Sequence, residues 1–231
     1  MYDPERVLAL VDDNLLGVLL FGGLSFGCLF VYFYETARLG FRDRCAPLTL
    51  LAVGVFIAHD ANFVVNFDDW FHTYDHWLLK GFWAALVLTT CIELVFLSQI
   101  IRFGREEMAR RLSQRTWTLA CLGGVVACIA GWGLLKETID DPFYLVSFLL
   151  TITWCLPAIS ALYLRRGVRR GLSVLQLAMY CGMALGYVML TVVVFEFDSF
   201  WWIAVCTVTL VWGALMLAAV ARAPAWTAPE R

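Results

Sequence analysis

Ala46-Pro-Leu-Thr-Leu-Leu-Ala-Val-Gly-Val-Phe-Ile-Ala-His59-Asp60-Ala-Asn62-Phe63-Val-Val-Asn66-Phe67 is a run of residues long enough to cross a hydrocarbon layer of about 30 Å as a helix. Its second half carries a carboxylate, an imidazole and two amides. A charged side chain at bilayer depth is costly unless a cavity or a partner receives it, so Asp60 marks a functional site by default.

Six further apolar runs of similar length surround this one, giving expected spans at about 14–35, 46–67, 78–101, 116–135, 143–164, 171–195 and 199–221. Of the 231 residues, 61% are hydrophobic and only 16% charged, and the mean hydropathy is +0.76. That balance excludes a soluble globule. The expected fold is all-α: a polytopic membrane protein of seven transmembrane helices, one domain over 1–222 and a cytoplasmic tail over 223–231.

The connecting segments divide by charge. Arg38, Arg42 and Arg44 follow the first run, Arg102, Arg105, Arg110, Arg111 and Arg115 the third, and Arg165, Arg166, Arg169 and Arg170 the fifth. Acids gather on the alternate segments: Asp12 and Asp13, then Asp68, Asp69 and Asp75, then Glu137, Asp140 and Asp141, then Glu196 and Asp198. By the positive-inside rule the N-terminus lies outside and the C-terminus in the cytoplasm. The basic segments are short and lack interleaved aromatics, which argues against nucleic acid and for the headgroups of a lipid bilayer. No basic n-region precedes the first run, so no cleavable signal peptide is expected. Lys80 and Lys136 are the only lysines among 17 basic residues. This usage points to a GC-rich bacterial genome, and hence to an integral protein of the bacterial plasma membrane.

Arg38-Leu-Gly40-Phe-Arg42 and Arg165-Arg-Gly167-Val-Arg169 leave the first and fifth runs in the same orientation. The spacing is compatible with a parallel repeat of three spans, one inverting span and three spans, a transporter architecture. Cytoplasmic boundaries are rich in these residues for topological reasons alone.

The candidate chemistry lies on a few positions. At 100° per residue His59, Asn62 and Asn66 share one stripe, and Asp60 points about a quarter-turn away, with Phe56, Phe63 and Phe67 beside it. Glu93 is the other acid deep in an apolar run, with Thr89 and Thr90 one turn away. Counting about 1.5 Å per residue, Asp60 lies roughly 9 Å and Glu93 roughly 20 Å below the outer ends of their spans, so they are not expected to share a proton. Each acid can also be read as a packing group bonded to neighbouring helices. Glu196, in Glu196-Phe-Asp198, is a further candidate acid near the outer boundary. Trp83, Trp154 and Trp212 lie at or near membrane depth and, with His59, Asn62 and Phe63, are candidate substrate contacts; ring faces in a cavity stabilise cations. For metal, His72, His76 and Asp68, Asp69 and Asp75 concentrate ligand types in one short loop, but the chain has no other histidine except His59, and no metal or other cofactor is expected. No Gly-rich phosphate loop and no diphosphate-binding acid motif is present.

Several segments together resemble the small seven-helix membrane terpene cyclases of meroterpenoid and indole-diterpene pathways, which have bacterial relatives. The resemblance runs through Phe41-Arg-Asp-Arg-Cys-Ala-Pro-Leu48, His59-Asp60 where the family has Trp-Glu, Glu93, Ile101-Arg-Phe-Gly-Arg-Glu-Glu107 and Arg169-Arg-Gly-Leu-Ser173, so it covers most of the chain loosely. It implies acid-initiated cyclisation of an apolar prenylated substrate entering from the bilayer, with Asp60, kept neutral by its apolar surroundings, as the proton donor, Glu93 or Glu196 as the second catalytic acid, and no metal. The chain departs from the pattern in its last span, where Thr209 and Trp212 stand in place of Asp-x-x-Tyr. The alternative is a proton-coupled small-solute transporter, with Asp60 and Glu93 as relay groups at two depths. A non-catalytic interaction subunit would require both acids to be structural.

Overall fold

The structure, a computed structural model, describes residues 2–227; the last four residues of the expected cytoplasmic tail lie outside the described residues. Among the described residues 82% are helical and none forms a strand. In chain order the helices are α1 (Pro4–Asp13), α2 (Leu15–Asp43), α3 (Leu50–Val65), α4 (Trp77–Met108), α5 (Gln114–Thr138), α6 (Leu145–Arg166), α7 (Val174–Val194) and α8 (Phe200–Arg222). All but α1 and α3 are long and apolar enough to cross a membrane, six in total.

The boundaries follow local chemistry. Thr49, Ser113, Ser173 and Ser199 cap α3, α5, α7 and α8 by accepting an N–H of the first turn, and Ser173 with Gln176 forms a reciprocal capping box. Gly167 and Gly171 adopt left-handed backbone (φ 66° and 69°) in the turn from α6 to α7, a conformation that glycine enters without steric cost. Helix α1 is amphipathic and hydropathy does not reveal it: Asp3 caps it, Pro4 opens it, and Val7 and Val11, one turn apart, are buried. Single π-helical turns interrupt α2 at Val18–Gly22 and α4 at Ile100–Gly104, and another closes α7 at Leu190–Val194.

The second apolar run departs from expectation. Its helix has 16 residues, about 24 Å of rise, and starts at Leu50 instead of near Ala46. Pro47 lacks an amide hydrogen and Arg44 takes a left-handed backbone (φ 49°), so the chain turns before Thr49 caps the helix. At the other end the chain leaves Val65 through Asn66, whose N–H turns back to Phe63 O, and enters a separate π-helical turn, Asp69–Thr73, before α4 begins.

The chain divides into two compact units: Met1–Thr36 with Ile152–Arg231, and Ala37–Thr151. The first holds α1, most of α2, most of α6, and α7 and α8. Its closest backbone approach is at Gly186, where a Cβ would lie 2.7 Å from Ser25 N and 2.8 Å from Phe21 O. Only a hydrogen fits there, and Ser25 Oγ donates to Met183 O across the same contact. Polar pairs tie this unit together elsewhere: Tyr180 OH to Ile152 O, Gln176 Nε2 to Thr36 Oγ1, Ser173 Oγ to Glu35 Oε1, and Thr153 with Thr209.

The second unit is built around α3, which packs against both α4 and α5. Ten of its 16 residues are buried, from Ala52 through Asp60 without a break and again at Phe63. The middle of the helix is thus buried on all sides, while Leu51 and Val65 near its ends are exposed (59% and 74%). Gly54 lets α5 come close: a Cβ there would meet Cys128 Sγ at 2.7 Å.

Candidate acid site on the buried short helix

Asp60 is 5% exposed, His59 0% and Glu93 1%. Their neighbours follow from the helical stripe. His59, Asn62 and Asn66 all face Tyr144, at the start of α6: the His59 ring lies 5.7 Å from the Tyr144 ring, Asn66 Nδ2 donates to Tyr144 OH at 2.9 Å, and Tyr144 OH donates to Asn62 Oδ1. Asp60, a quarter-turn away, meets α4 instead.

There Asp60 makes three contacts. His59 Nδ1 lies 2.7 Å from its Oδ1, Thr89 Oγ1 donates to its Oδ2, and the Glu93 carboxyl joins it through a side-chain hydrogen bond. The expected separation in depth is therefore corrected: the two acids touch. The depth count placed the outer ends of α3 and α4 at one level. The chain instead stacks the Asp69–Thr73 turn onto α3, with the Trp70 ring 4.2 Å from Phe63 and nearly parallel and Trp70 Nε1 donating to Phe63 O, so α4 begins well beyond the end of α3.

The donors are unevenly shared. A hydrogen bond between two carboxyls requires a proton on one of them. Asp60 accepts from Thr89 on one oxygen and faces His59 Nδ1 with the other, whereas Glu93 Oε2 receives no N–H or hydroxyl donor and His59 Nε2 has no partner. Aromatic rings wall the group: Trp132, Tyr144 and Phe148 lie 5.5–5.7 Å from the imidazole, and Phe82 lies edge-on to Phe63 and Phe148.

Tyr144 and Asn66 also line an open pocket of about 450 Å³ at the acidic end of this unit, with Trp70, Lys136, Asp69 and Asp140. Lys136 Nζ sits 3.7 Å above the Tyr144 ring and donates to Asp141 O.

Five of the candidate residues thus come together: Asp60, Glu93, His59, Asn62 and Phe63. Trp83 lies in the same unit but turns its N–H to Val64 O at 2.9 Å and packs edge-on against Phe67 and Phe71. The remaining three belong to the other unit. Glu196 pairs with Arg6 at 2.6 Å with its side chain 55% exposed, so nothing holds it as a buried acid. Trp154 is 52% exposed, and Trp212 donates to Ser160 Oγ at 3.0 Å. Thr89, Trp132, Tyr144 and Phe148 complete the site; Tyr144 opens the expected 143–164 run with nothing in the sequence to single it out, and only the fold of the preceding Asp140-Asp141-Pro142 turn brings it to α3. His76 Nδ1 accepts from Leu78 N at the start of α4 and His72 lies 3.8 Å from Asp68; among the described residues no three His, Cys, Asp or Glu side chains converge as metal ligands.

Comparison with known proteins finds no matching family model, no matching curated protein and no matching solved structure. The fold and site together describe an all-helical protein, consistent with integral membrane association, that buries a hydrogen-bonded acid pair beside a histidine.

Proposed function

We propose that this protein is a membrane terpene cyclase that protonates an alkene or epoxide of a prenylated substrate and so starts a cationic cyclisation. The observation that carries this reading is the contact between the Asp60 and Glu93 carboxyls inside a wall of aromatic rings. Starting such a cascade needs one transferable proton in apolar surroundings, and the pair supplies it without metal or nucleotide. In this reading Glu93 gives the proton to the substrate carbon or epoxide oxygen, while Asp60, held by His59 and Thr89, is the fixed anion facing the cation that forms. The ring faces of Phe63, Tyr144 and Phe148 stabilise that cation as it moves. The cascade ends when a proton leaves the cation or water adds to it, and the released proton returns to the pair.

The same reading places seven spans in a bacterial plasma membrane, α3 counted among them, with the N-terminus outside and the tail after Arg222 in the cytoplasm. The resemblance in the Phe41–Leu48 and Ile101–Glu107 segments supports it, and so does the alternation of basic and acidic connections.

A second reading, proton-coupled transport of a small solute, is favoured by one observation. The open pocket shares Tyr144 and Asn66 with the polar stripe that leads to Asp60. Purified protein in detergent separates the two. Cyclisation needs no compartments, so a linear prenylated aromatic, with or without a terminal epoxide, is converted into an isomer or hydrate detected by mass spectrometry. Gradient-driven uptake in liposomes with no product from a broad prenyl panel would replace the cyclase reading by transport.

A further inference from the structure

Two nitrogen atoms near the acid pair make no hydrogen bond within the protein, His59 Nε2 and Trp132 Nε1, and their residues are 0% and 7% exposed. The two rings pack edge to face with centroids 5.5 Å apart, so both unpartnered nitrogens belong to one ring contact. Their chemistry is complementary to a water oxygen. Trp132 Nε1 is only a donor, whereas the neutral His59 tautomer that donates from Nδ1 to Asp60 offers a lone pair at Nε2. A water molecule accepts from the first and donates to the second. Buried polar atoms without partners are rare because losing hydration is costly, and sites with several polar partners hold water.

The position of the pair gives the site a purpose. Tyr144 packs on the same imidazole at 5.7 Å, belongs to the wall of the open pocket, and has its hydroxyl bonded to Asn62 and Asn66. On the other side of the imidazole the order is Asp60 and then Glu93.

We infer that His59 Nε2 and Trp132 Nε1 form a water-binding site through which the buried acid pair exchanges its proton with the open pocket beside Tyr144. In the inward step the bound water gives a proton to His59 Nε2, His59 passes its Nδ1 proton to Asp60, and the water regains a proton from the pocket, so the pair gains one proton and His59 changes tautomer. The reverse step returns one proton of the pair through His59 and the water to the pocket and restores the tautomer, and the two steps together exchange the proton with no net charge transferred. The inference rests on a protonated acid pair, as does the proposed cyclisation, but not on any substrate.

The test reads the carboxyl directly. Protein in nanodiscs is transferred to D2O, and the C=O stretch of the protonated carboxyl, assigned by its loss in Glu93→Gln, is followed by infrared spectroscopy. Trp132→Phe keeps the ring and removes one partner of the water; Tyr144→Phe keeps the ring and removes the hydroxyl at the pocket. Both slow deuteration of the band at least about tenfold, while amide exchange of the helices and thermal unfolding stay close to wild type. A variant that fails to fold is recognised by its amide exchange and replaced by His59→Gln, which keeps a polar side chain but cannot pass a proton, and which slows deuteration to the same degree. Wild-type exchange rates in the folded variants overturn the water site and leave the cyclase reading standing. A wild-type spectrum with no protonated carboxyl overturns both.

Discussion

Asp60 on α3 and Glu93 on α4 hold one another by a hydrogen bond between carboxyl groups, with Thr89, one turn from Glu93, donating to the same aspartate. Each member depends on the other for its state. Without Glu93, Asp60 keeps only His59 and Thr89; without Asp60, Glu93 loses the group it bonds to.

That dependence predicts unequal mutants. Glu93→Gln and Asp60→Asn each remove the shared proton or its holder and lower product formation per folded molecule by about 10²–10⁴-fold, the usual contribution of a general acid. Asp60→Glu, which keeps the charge, retains part of the rate. Mass-spectrometric product yield normalised to folded protein is the measurement, and near wild-type turnover in Glu93→Gln removes the pair from the chemistry.

Orientation follows from the arginines. In a cysteine-free background, Arg42→Cys, Arg111→Cys and Arg165→Cys are shielded from an impermeant thiol reagent added to intact cells, whereas Asp140→Cys and Asp198→Cys react. All five positions are exposed, so access and not burial decides the result. Labelling of the first three from outside reverses the topology.

Packing in the first unit predicts a contrast between two glycines of similar helical setting. Gly186→Ala drives a methyl against the backbone at Ser25 and Phe21 and destabilises by about 1–3 kcal/mol. Gly27→Ala meets nothing within 4 Å and is neutral or stabilising by up to about 1 kcal/mol. Thermal unfolding in one detergent compares them, and equal midpoints would contradict the close approach.

Lys80 beside Asp75 holds that carboxyl below the usual carboxylate range. A depressed pKa in the folded state contributes stability above the unfolded value, near about 3.9, and loses it as pH falls through the folded value. The contribution is that of an exposed, salt-screened pair. The difference in unfolding midpoint between wild type and Asp75→Asn is therefore small at neutral pH, vanishes in acid, and shrinks on adding salt. A difference that grows as pH falls would contradict the pairing.

Hydropathy made the helical class and six of the seven long runs legible, because apolar length alone decides them. The helical stripe also placed His59, Asn62 and Asn66 on one side, and all three meet Tyr144. What could not be read was anything set by the connections. The Pro47 turn and the Asp69–Thr73 turn shorten α3 and set its level against α4, and a count from span ends has no access to either. For the same reason Glu196, plausible by depth, is exposed with Arg6, and Trp132, legible only as one of several tryptophans at membrane depth, stands against His59.

The brevity of α3 bears on how the protein is made. On insertion scales an aspartate near the middle of a helix costs about 2.5–3.5 kcal/mol, whereas a leucine, valine or phenylalanine returns only about 0.3–0.6. Sixteen residues that include His59, Asp60 and Asn62 are a poor substrate for the translocon on their own. On the proposed seven-span reading, α3 is accepted when α4 arrives behind it, bringing Thr89 and Glu93 to its acid. The proposed proton donor is then also a group that completes biogenesis, so variants at Glu93 are to be scored for protein delivered to the membrane as well as for product.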